Sequence, residues 1–348
     1  MEYRRLGRTG LDVSAICLGT MTWGEQNSEA EGHAQMDMAL DRGINFFDTA
    51  ELYPIPPKGE TQGRTEEIMG TWFQSRGTRD RVILATKVCG RSQNTWFRDD
   101  GSPAELTRPQ IEEAVNKSLR RLRTDYIDLY QLHWPDRPVP QFGSNPVIYR
   151  PPQGPENPIP EILEVLGDLV KAGKIRHVGL SNESPWGTMT FLHHAETRGL
   201  PRVQSIQNAY SLVNRVFESG LAEIALREDV GLLAYSPLAQ GYLTGKYQGG
   251  ALPPGSRKQL FDRLQRYETP GAAPAIDAYV ALAREAGLNP AQMALSFVTS
   301  RAFVTSNIIG ATSLDQLKTA IDSIDVRIDR ELEERIDAIH LRHTNPCP

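Results

Sequence analysis

The sequence predicts an α/β protein, a closed (β/α)₈ TIM barrel with an N-terminal β-hairpin and long loops at its C-terminal face. Short apolar runs alternate with helical patterns eight times along the 348 residues. Most of these runs are apolar on both faces, as are parallel strands covered by helices. No segment has the composition of a linker. We therefore expect a single barrel domain over residues 1–348.

Composition and charge exclude several classes of protein. The hydrophobic content of 39% and charged content of 23% are ordinary for a globular protein, and the net charge of −5 gives no bulk attraction to nucleic acid or anionic membranes. No apolar run has the length of a secretory or membrane-spanning segment. Cys17, Cys89 and Cys347 form no Cys-x-x-Cys pair, which suits a reducing compartment. We expect a cytoplasmic protein, and its oligomeric state stays open.

The element order follows from apolar periodicity and turn residues. A hairpin is predicted to join residues 3–6 to 11–14. Strands are predicted at residues 15–18, 45–48, 82–86, 127–132, 175–180, 203–207, 231–235 and 304–309, and helices at 28–42, 65–75, 107–123, 160–172, 186–198 and 217–228. Three predicted helices begin with a capping-box pattern, which is a Ser or Thr followed three residues later by Glu or Gln. The pairs are Ser28 with Glu31, Thr107 with Gln110, and Ser313 with Gln316.

Three long stretches interrupt the alternation. They cover residues 54–63, 135–158 and 238–274, and all are rich in proline or glycine. In a barrel each would follow the C-terminal end of a strand, where active sites are built from loops. These stretches are therefore predicted to be loops that shape a functional site.

Three strands end in ionisable residues, and a tyrosine follows the first of them. Asp48, Lys87 and His133 close their strands, and Tyr53 comes five residues after Asp48. A phenol with a pKa near 10 exchanges protons poorly at neutral pH, but a nearby ammonium favours the phenolate and a carboxylate can hold that ammonium. A histidine adds a polarising donor. The set suits proton delivery to an oxygen that gains charge, as when hydride adds to a carbonyl carbon.

Each of these residues taken alone has an ordinary explanation. Asp48 could cap the next helix, Lys87 could form a surface ion pair, and His133 could be a hydrogen-bonded residue of the barrel rim. Their shared position at the ends of parallel strands favours the chemical interpretation, because such ends meet at one mouth of the barrel.

Several motifs, in order from the first hairpin to the last helix, resemble signatures of the aldo-keto reductase family. They are Leu-Gly-Thr-Met at 18–21, Asp-Thr-Ala-Glu-Leu-Tyr at 48–53, Thr-Lys at 86–87, and the segments 125–134 and 173–182. Residues 25–28, the loop after Tyr53 and residues 289–294 resemble the Tas-type, NADP(H)-dependent members. Potassium-channel β-subunits are more distant relatives.

The resemblance implies a catalytic tetrad and a cofactor. Tyr53 would be the proton donor, Lys87 would lower its pKa, Asp48 would pair with Lys87, and His133 would orient a carbonyl substrate. NADP(H) would bind extended across the C-terminal mouth without a Rossmann fold, and no G-x-G-x-x-G follows a strand. The implied activity is reduction of small aldehydes and ketones, with no metal.

The same resemblance implies a set of cofactor contacts. The residues are Thr20, Met21, Asp48, Ser181, Asn182, Gln207, Tyr235, Ser236, Pro237, Leu238, Gly241, Lys246, Arg257, Gly310, Thr312 and Gln316. Residues 181, 182 and 207 would hold the nicotinamide carboxamide, Tyr235 would stack on its ring, and residues 236–246 would hold the pyrophosphate. Arg257 with Lys246 favours NADPH over NADH, and residues 310–316 would receive the adenosine phosphate. The chain departs from the family at Thr319-Ala320, where relatives carry Glu-Asn for adenine.

Two other functions compete with a carbonyl reductase. One is an NADP(H)-binding, redox-sensing partner protein like the channel β-subunits, but these carry Asn where this chain has His133. The other is a metal-dependent barrel hydrolase, which needs more ligands than one strand-end histidine.

Two smaller questions also stay open. Trp23, Trp96 and Trp134 would either line the substrate pocket or pack loops, and Cys89 would be oxidant-sensitive or a small buried filler.

Overall fold

The computed structural model describes residues 1–140, 148–151, 154–263 and 265–348. Eight parallel strands close into a barrel, and β1 and β2 form a separate antiparallel hairpin. The strands are β1 Tyr3–Arg5, β2 Asp12–Ser14, β3 Ile16–Gly19, β4 Phe46–Asp48, β5 Ile83–Val88, β6 Ile127–Leu132, β7 Ile175–Ser181, β8 Val203–Ala209, β9 Gly231–Tyr235 and β10 Val304–Ile309. Strands β3 to β9 pair in sequence order, and β10 closes the ring between β9 and β3. The predicted fold class is confirmed.

Helices surround the barrel. Those in the described ranges are α1 Glu29–Asp41, α2 Arg64–Arg76, α3 Arg108–Leu122, α4 Ile159–Lys171, α5 Pro185–Arg198, α6 Leu221–Arg227, α7 Arg257–Phe261, α8 Ala272–Glu285, α9 Pro290–Thr299, α10 Leu314–Asp322 and α11 Arg330–Arg342. Within the same ranges, no helix is both long and apolar enough to cross a membrane.

The stretch 238–274 is more ordered than predicted. It contains α7, several 3₁₀ turns and the start of α8. Closely spaced glycines and prolines hide such short helices from a periodicity argument, because each turn is too brief to repeat an apolar position. Of the predicted loops, residues 141–147 and 152–153 of the proline-rich stretch lie outside the described residues, as does residue 264.

The three predicted capping boxes have different outcomes. Ser28 and Glu31 form the reciprocal box at the start of α1. Ser313 caps α10, but the Gln316 side chain accepts hydrogen bonds from Thr312 instead of the cap residue. At residue 107 the predicted helix start is confirmed, because Thr107 is the N-cap residue of α3, but the predicted capping box is wrong.

At the start of α3, Thr107 makes no side-chain cap. The Gln110 side chain is instead bound to the preceding loop, where it accepts a hydrogen bond from Glu105 N at 2.7 Å and donates to Pro103 O at 3.0 Å. A tertiary contact therefore takes the partner that the local pattern assigned to the helix end.

The hairpin closes the N-terminal end of the barrel. Arg4 donates to the carbonyl of Val304 at 2.7 Å, and the backbone N–H of Arg8 donates to the Gln204 side chain at 2.8 Å. Leu6 and Val13 are fully buried against the interior of the barrel. This end is sealed with apolar side chains.

Side chains inside the barrel change character along each strand. The interior nearer the hairpin is apolar, since Phe46, Ala85 and Leu129 belong to one buried cluster with Leu6 and Val13. Because side chains on one face of a strand recur every second residue, the next inward positions are 48, 87 and 131. Those positions carry Asp, Lys and Gln. A polar layer thus lies directly on an apolar one at the C-terminal mouth.

Candidate active site

A buried ion pair occupies the centre of the polar layer. The Lys87 ammonium lies 2.7 Å from Asp48 Oδ2 and donates to the carbonyl of Thr49 at 2.7 Å. Burial by itself lowers the pKa of Lys87, but Asp48 and Tyr53 together outweigh it, so that pKa is raised above its ordinary value. Lys87 therefore keeps its charge in an environment that excludes water.

The other oxygen of Asp48 is held by two amides. Oδ1 accepts hydrogen bonds from Gln207 Nε2 at 2.8 Å and Gln131 Nε2 at 3.1 Å. The Thr20 hydroxyl donates to the Asp48 carbonyl at 2.9 Å. Gln131 is absent from the residues selected on the sequence, although it lies two positions before His133 on the same inward face. An amide at an inward position of an otherwise apolar strand is the signal that could have found it.

Tyr53 lies above this pair. Its ring centroid is 4.9 Å from Lys87 Nζ and 5.9 Å from the His133 ring, which it meets edge-on. Burial raises the pKa of Tyr53 above its ordinary value, and the Lys87 charge opposes this without cancelling it. The resemblance implied a lowered pKa. Lys87 acts in that direction, but loss of solvent dominates, so the phenol is protonated at neutral pH.

His133 is a neutral neighbour of Tyr53. Burial, with a smaller contribution from the Lys87 charge, holds its pKa well below the usual range. The ring packs 4.8 Å from the Trp134 ring, and its Nδ1 is buried without a hydrogen-bond partner in the described part of the chain. Such an imidazole can donate only one N–H at a time.

The residues assigned to the carboxamide form one connected group. The Ser181 hydroxyl donates to the Gln207 carbonyl at 2.8 Å, and Asn182 Nδ2 donates to the His133 carbonyl at 2.9 Å. The Tyr235 hydroxyl donates to Asn182 Oδ1 at 2.5 Å. The aromatic ring, the amides and the backbone of His133 are therefore fixed relative to one another.

The segment after β9 brings cations to the same rim. Gly241 has a φ of 102°, which favours glycine, and a Cβ there would lie 2.7 Å from Lys246 Cε and displace the end of this lysine. Within the described ranges, neither Lys246 nor Arg257 forms an ion pair. Burial, followed by the charge of Arg263, lowers the pKa of Arg257. Uncompensated, partly buried cations of this kind suit an anionic ligand.

Arg266 is also absent from the residues selected on the sequence. Its guanidinium lies 5.9 Å from the Tyr235 ring centroid. No local pattern marks it, since its place beside β9 depends on how the segment 239–271 folds back over the barrel. The remaining residues assigned here lie between β9 and that segment: Ser236, Pro237 and Leu238 directly follow β9.

The residues assigned to the adenosine side follow β10, the strand that pairs with β9, on the same rim. Gly310 is exposed, and Thr312 is bonded to Gln316 at the start of α10. Asn27 donates to the Thr312 carbonyl at 3.0 Å, which joins this rim to the loop after β3. Ala320 is buried in the core, so its side chain offers no contact to a ligand.

Met21 and the three tryptophans singled out on the sequence occupy different environments. The Met21 carbonyl accepts from Ile55 N at 2.9 Å, which ties the loop after β3 to the loop after Tyr53. Trp23 is fully buried and donates to Gln35, so it packs the core and does not line a pocket. Trp96 and Trp134 belong to a small cluster at the loop after β5.

Cys89 lies fully buried in that same cluster. Burial, with the Glu51 charge, raises the pKa of its thiol well above the usual range. Thiolate is the reactive form of cysteine. The environment of Cys89 therefore fits packing and not oxidant sensing.

A cavity of about 370 Å³ lies outside the barrel wall, between α4 and α5. Leu132, Leu180, Ser181 and Phe191 are among its lining residues. The ion pair, Tyr53 and His133 do not line it.

Comparison with known proteins agrees with this architecture. The family model for the aldo/keto reductase family matches residues 15–340. Protein tas of Escherichia coli is 48% identical over the full length of both chains. The uncharacterized oxidoreductase YrpG of Bacillus subtilis is 33% identical over 97% of this chain and 96% of its own length. A probable voltage-gated potassium channel subunit beta of Arabidopsis thaliana is 30% identical over 94% and 92%. The chain belongs to the aldo/keto reductase family of oxidoreductases.

Proposed function

We propose that this protein is an NADPH-dependent reductase of aldehydes and ketones, with Tyr53 as the proton donor. The observation that carries the proposal is the protonated phenol of Tyr53 beside a buried Lys87–Asp48 pair and a neutral His133.

The chain's own residues would stabilise the charge that develops on a carbonyl oxygen. When bound, NADPH would supply a hydride to the carbonyl carbon. Neutral His133 would donate one N–H to the carbonyl oxygen, and Tyr53 would pass its proton to that oxygen. Lys87, held by Asp48, would stabilise the phenolate that remains. Donors that are fixed in advance in a site shielded from water stabilise such charge strongly.

The cofactor proposal is supported by the cations of the rim. Lys246 and Arg257 form no ion pair with any described carboxylate, and Gly241 lets the Lys246 side chain lie close to the backbone. The forked guanidinium of Arg257 suits a 2′-phosphate, which NADPH carries and NADH lacks. Ser181, Asn182 and Gln207 supply amide and hydroxyl groups that are hydrogen-bonded into the same site as His133 and Asp48.

The test is NADPH oxidation with a reactive aromatic aldehyde, with wild type run beside Tyr53→Phe and NADH run in parallel. Loss of a general acid should lower kcat about 10³-fold while NADPH binding is retained. Wild type should prefer NADPH. Full turnover by Tyr53→Phe would contradict the mechanism. Tight NADPH binding without turnover in wild type would favour the redox-sensing partner function suggested by the channel-subunit relatives, and a copurification experiment would follow.

A further inference from the structure

The segment that carries Tyr53 runs along the neighbouring strand instead of standing free as a loop. Beyond β4, the backbone N–H of Thr49 donates to the Ala85 carbonyl at 2.9 Å, and that of Glu51 donates to the Lys87 carbonyl at 3.2 Å. The chain then turns, with Tyr53 N donating to the Ala50 carbonyl at 3.1 Å. The position of Tyr53 therefore depends on how firmly residues 49–51 stay on β5.

The Glu51 side chain fastens this segment to two other parts of the chain. Its Oε2 accepts from Arg98 Nη1 at 3.0 Å, and its Oε1 accepts from Arg98 Nη2 at 3.1 Å and from Cys89 N at 2.8 Å. Both charged side chains are 0% exposed. A two-point pairing of guanidinium and carboxylate fixes orientation as well as distance.

A contribution to the stability of the fold does not by itself explain why the Glu51–Arg98 pair is buried here. Removing two charges from water costs several kcal/mol each, and apolar residues of similar volume often serve as well in a core. What the pair adds is geometry, because Cys89 and Arg98 both belong to the chain that leaves β5 just after Lys87. Glu51 thus links the segment bearing Tyr53 to the strand and loop bearing Lys87.

We propose that Glu51 and Arg98 are positioning residues that hold the Tyr53 hydroxyl in line with Lys87. The proposal rests on the reductase function above, for which that alignment sets the rate of proton transfer. Neither side chain is assigned contact with substrate or cofactor.

A second buried pair provides a matched control. Arg121 Nε lies 2.7 Å from Glu66 Oε2, and Glu66 Oε1 accepts from the Thr86 hydroxyl at 2.6 Å. This pair lies against the outward face of β5 and makes no hydrogen bond with residues 49–53 among the described atoms. Its side chains are 13% and 0% exposed. The Glu51 charge acts on Arg121 through space, and Arg121→Lys keeps that positive charge.

The experiment compares Arg98→Lys with Arg121→Lys. Each substitution keeps the positive charge. Arg98→Lys loses the two-point pairing with Glu51, whereas Arg121 contacts Glu66 through Nε. For Arg98→Lys we expect kcat to fall roughly 10- to 100-fold, since small misplacements of reacting groups cost that much. The NADPH dissociation constant should stay within about twofold, because the rim residues are untouched. Amide exchange of the peptide covering residues 49–53 should rise. Arg121→Lys should change neither kcat nor that exchange.

The pH profile separates positioning from general damage. The groups that face Tyr53 are Lys87, Asp48, His133, Tyr235 and Arg257. Among them the Lys87 charge is the largest influence that lowers the Tyr53 pKa. Moving Tyr53 away from Lys87 should therefore shift the alkaline limb of kcat to higher pH in Arg98→Lys. A protein that is merely less stable would lose active enzyme without moving that limb.

Glu51→Gln is the second variant, in case Arg98→Lys does not fold. It keeps an acceptor for Cys89 N–H but loses the ion pair, and it should show the same rise in exchange and fall in kcat. Unchanged exchange and kcat in the folded variant would overturn the positioning role, and so would equal changes in Arg121→Lys. The exchange measurement needs no turnover. An inactive wild type with the exchange pattern intact would therefore refute the reductase function alone.

Discussion

The two ends of this barrel are built from the same eight strands and differ in what they bury. The N-terminal end is closed by the hairpin, with Leu6 and Val13 against an apolar interior. The C-terminal end buries Asp48, Lys87 and Gln131 in a hydrogen-bonded layer. Apolar burial contributes stability with little directional demand, whereas buried polar groups must all be paired. The N-terminal end therefore stabilises the fold, whereas the fixed charges buried at the C-terminal end reduce that stability.

Replacing Lys87 by Met should give the largest effect and act on the polar end alone. The substitution leaves Asp48 buried without its partner, which costs about 3–5 kcal/mol of unfolding free energy. In the proposed mechanism it also removes the cation that would stabilise a Tyr53 phenolate, so kcat should fall about 10³-fold or more. Denaturant unfolding and single-turnover NADPH oxidation measure the two effects.

The double variant Lys87→Met with Asp48→Asn serves as the control. It removes the uncompensated charge, so it should recover part of the stability and none of the activity. A single variant that keeps wild-type turnover, or a double variant no more stable than the single one, would break the distinction between the two ends.

Leu6→Ala should reverse the pattern at the apolar end. Leu6 is fully buried, and deleting a buried leucine side chain costs about 2–5 kcal/mol with its cavity. The kcat of the folded variant should equal that of wild type, because the polar layer is left intact. Leu341→Ala, at a side chain that is 82% exposed, is the matched control and should leave stability nearly unchanged. A large fall in kcat in Leu6→Ala would show that the two ends are coupled.

His133→Asn should change how stability depends on pH. Burial holds the pKa of His133 well below 6.5 in the folded state, so below pH 6.5 the unfolded chain binds a proton that the folded chain does not. Stability from this group is therefore lost as pH falls, with a slope of at most about 1.4 kcal/mol per pH unit. The variant should lose less stability on acidification, as measured by denaturant unfolding from pH 7 to pH 5. Equal slopes for the variant and wild type would contradict the neutral, buried histidine.

Arg8→Ala should have the smallest effect. The Arg8 guanidinium lies 2.8 Å from Asp229 beside the hairpin, but the two side chains are 53% and 56% exposed. Exposed ion pairs contribute about 0–1 kcal/mol and weaken with salt. Thermal unfolding at low and high ionic strength should show a small difference that disappears at high salt. A larger loss would mean that the hairpin is held by its charges and not by Leu6 and Val13.

The barrel and its strand-end residues follow from local sequence. Alternating apolar strands and helices leave few other folds, and a strand that ends in Asp48, Lys87 or His133 directs that side chain to the C-terminal mouth. The capping box of Ser28 is equally local, since all its atoms lie within one helical turn. Such features depend on periods of a few residues, and the sequence alone determines them.

Other features were decided only by contacts between distant residues. Gln110 prefers the loop before α3 to a cap, Gln131 reaches Asp48 across the barrel, and Arg98 pairs with Glu51. The pKa of Tyr53 was likewise decided by the tertiary structure. Its neighbours predicted a lowered value, but burial by the folded chain raises it. Desolvation and long-range pairing depend on which surfaces the complete fold brings together, and no local pattern records them.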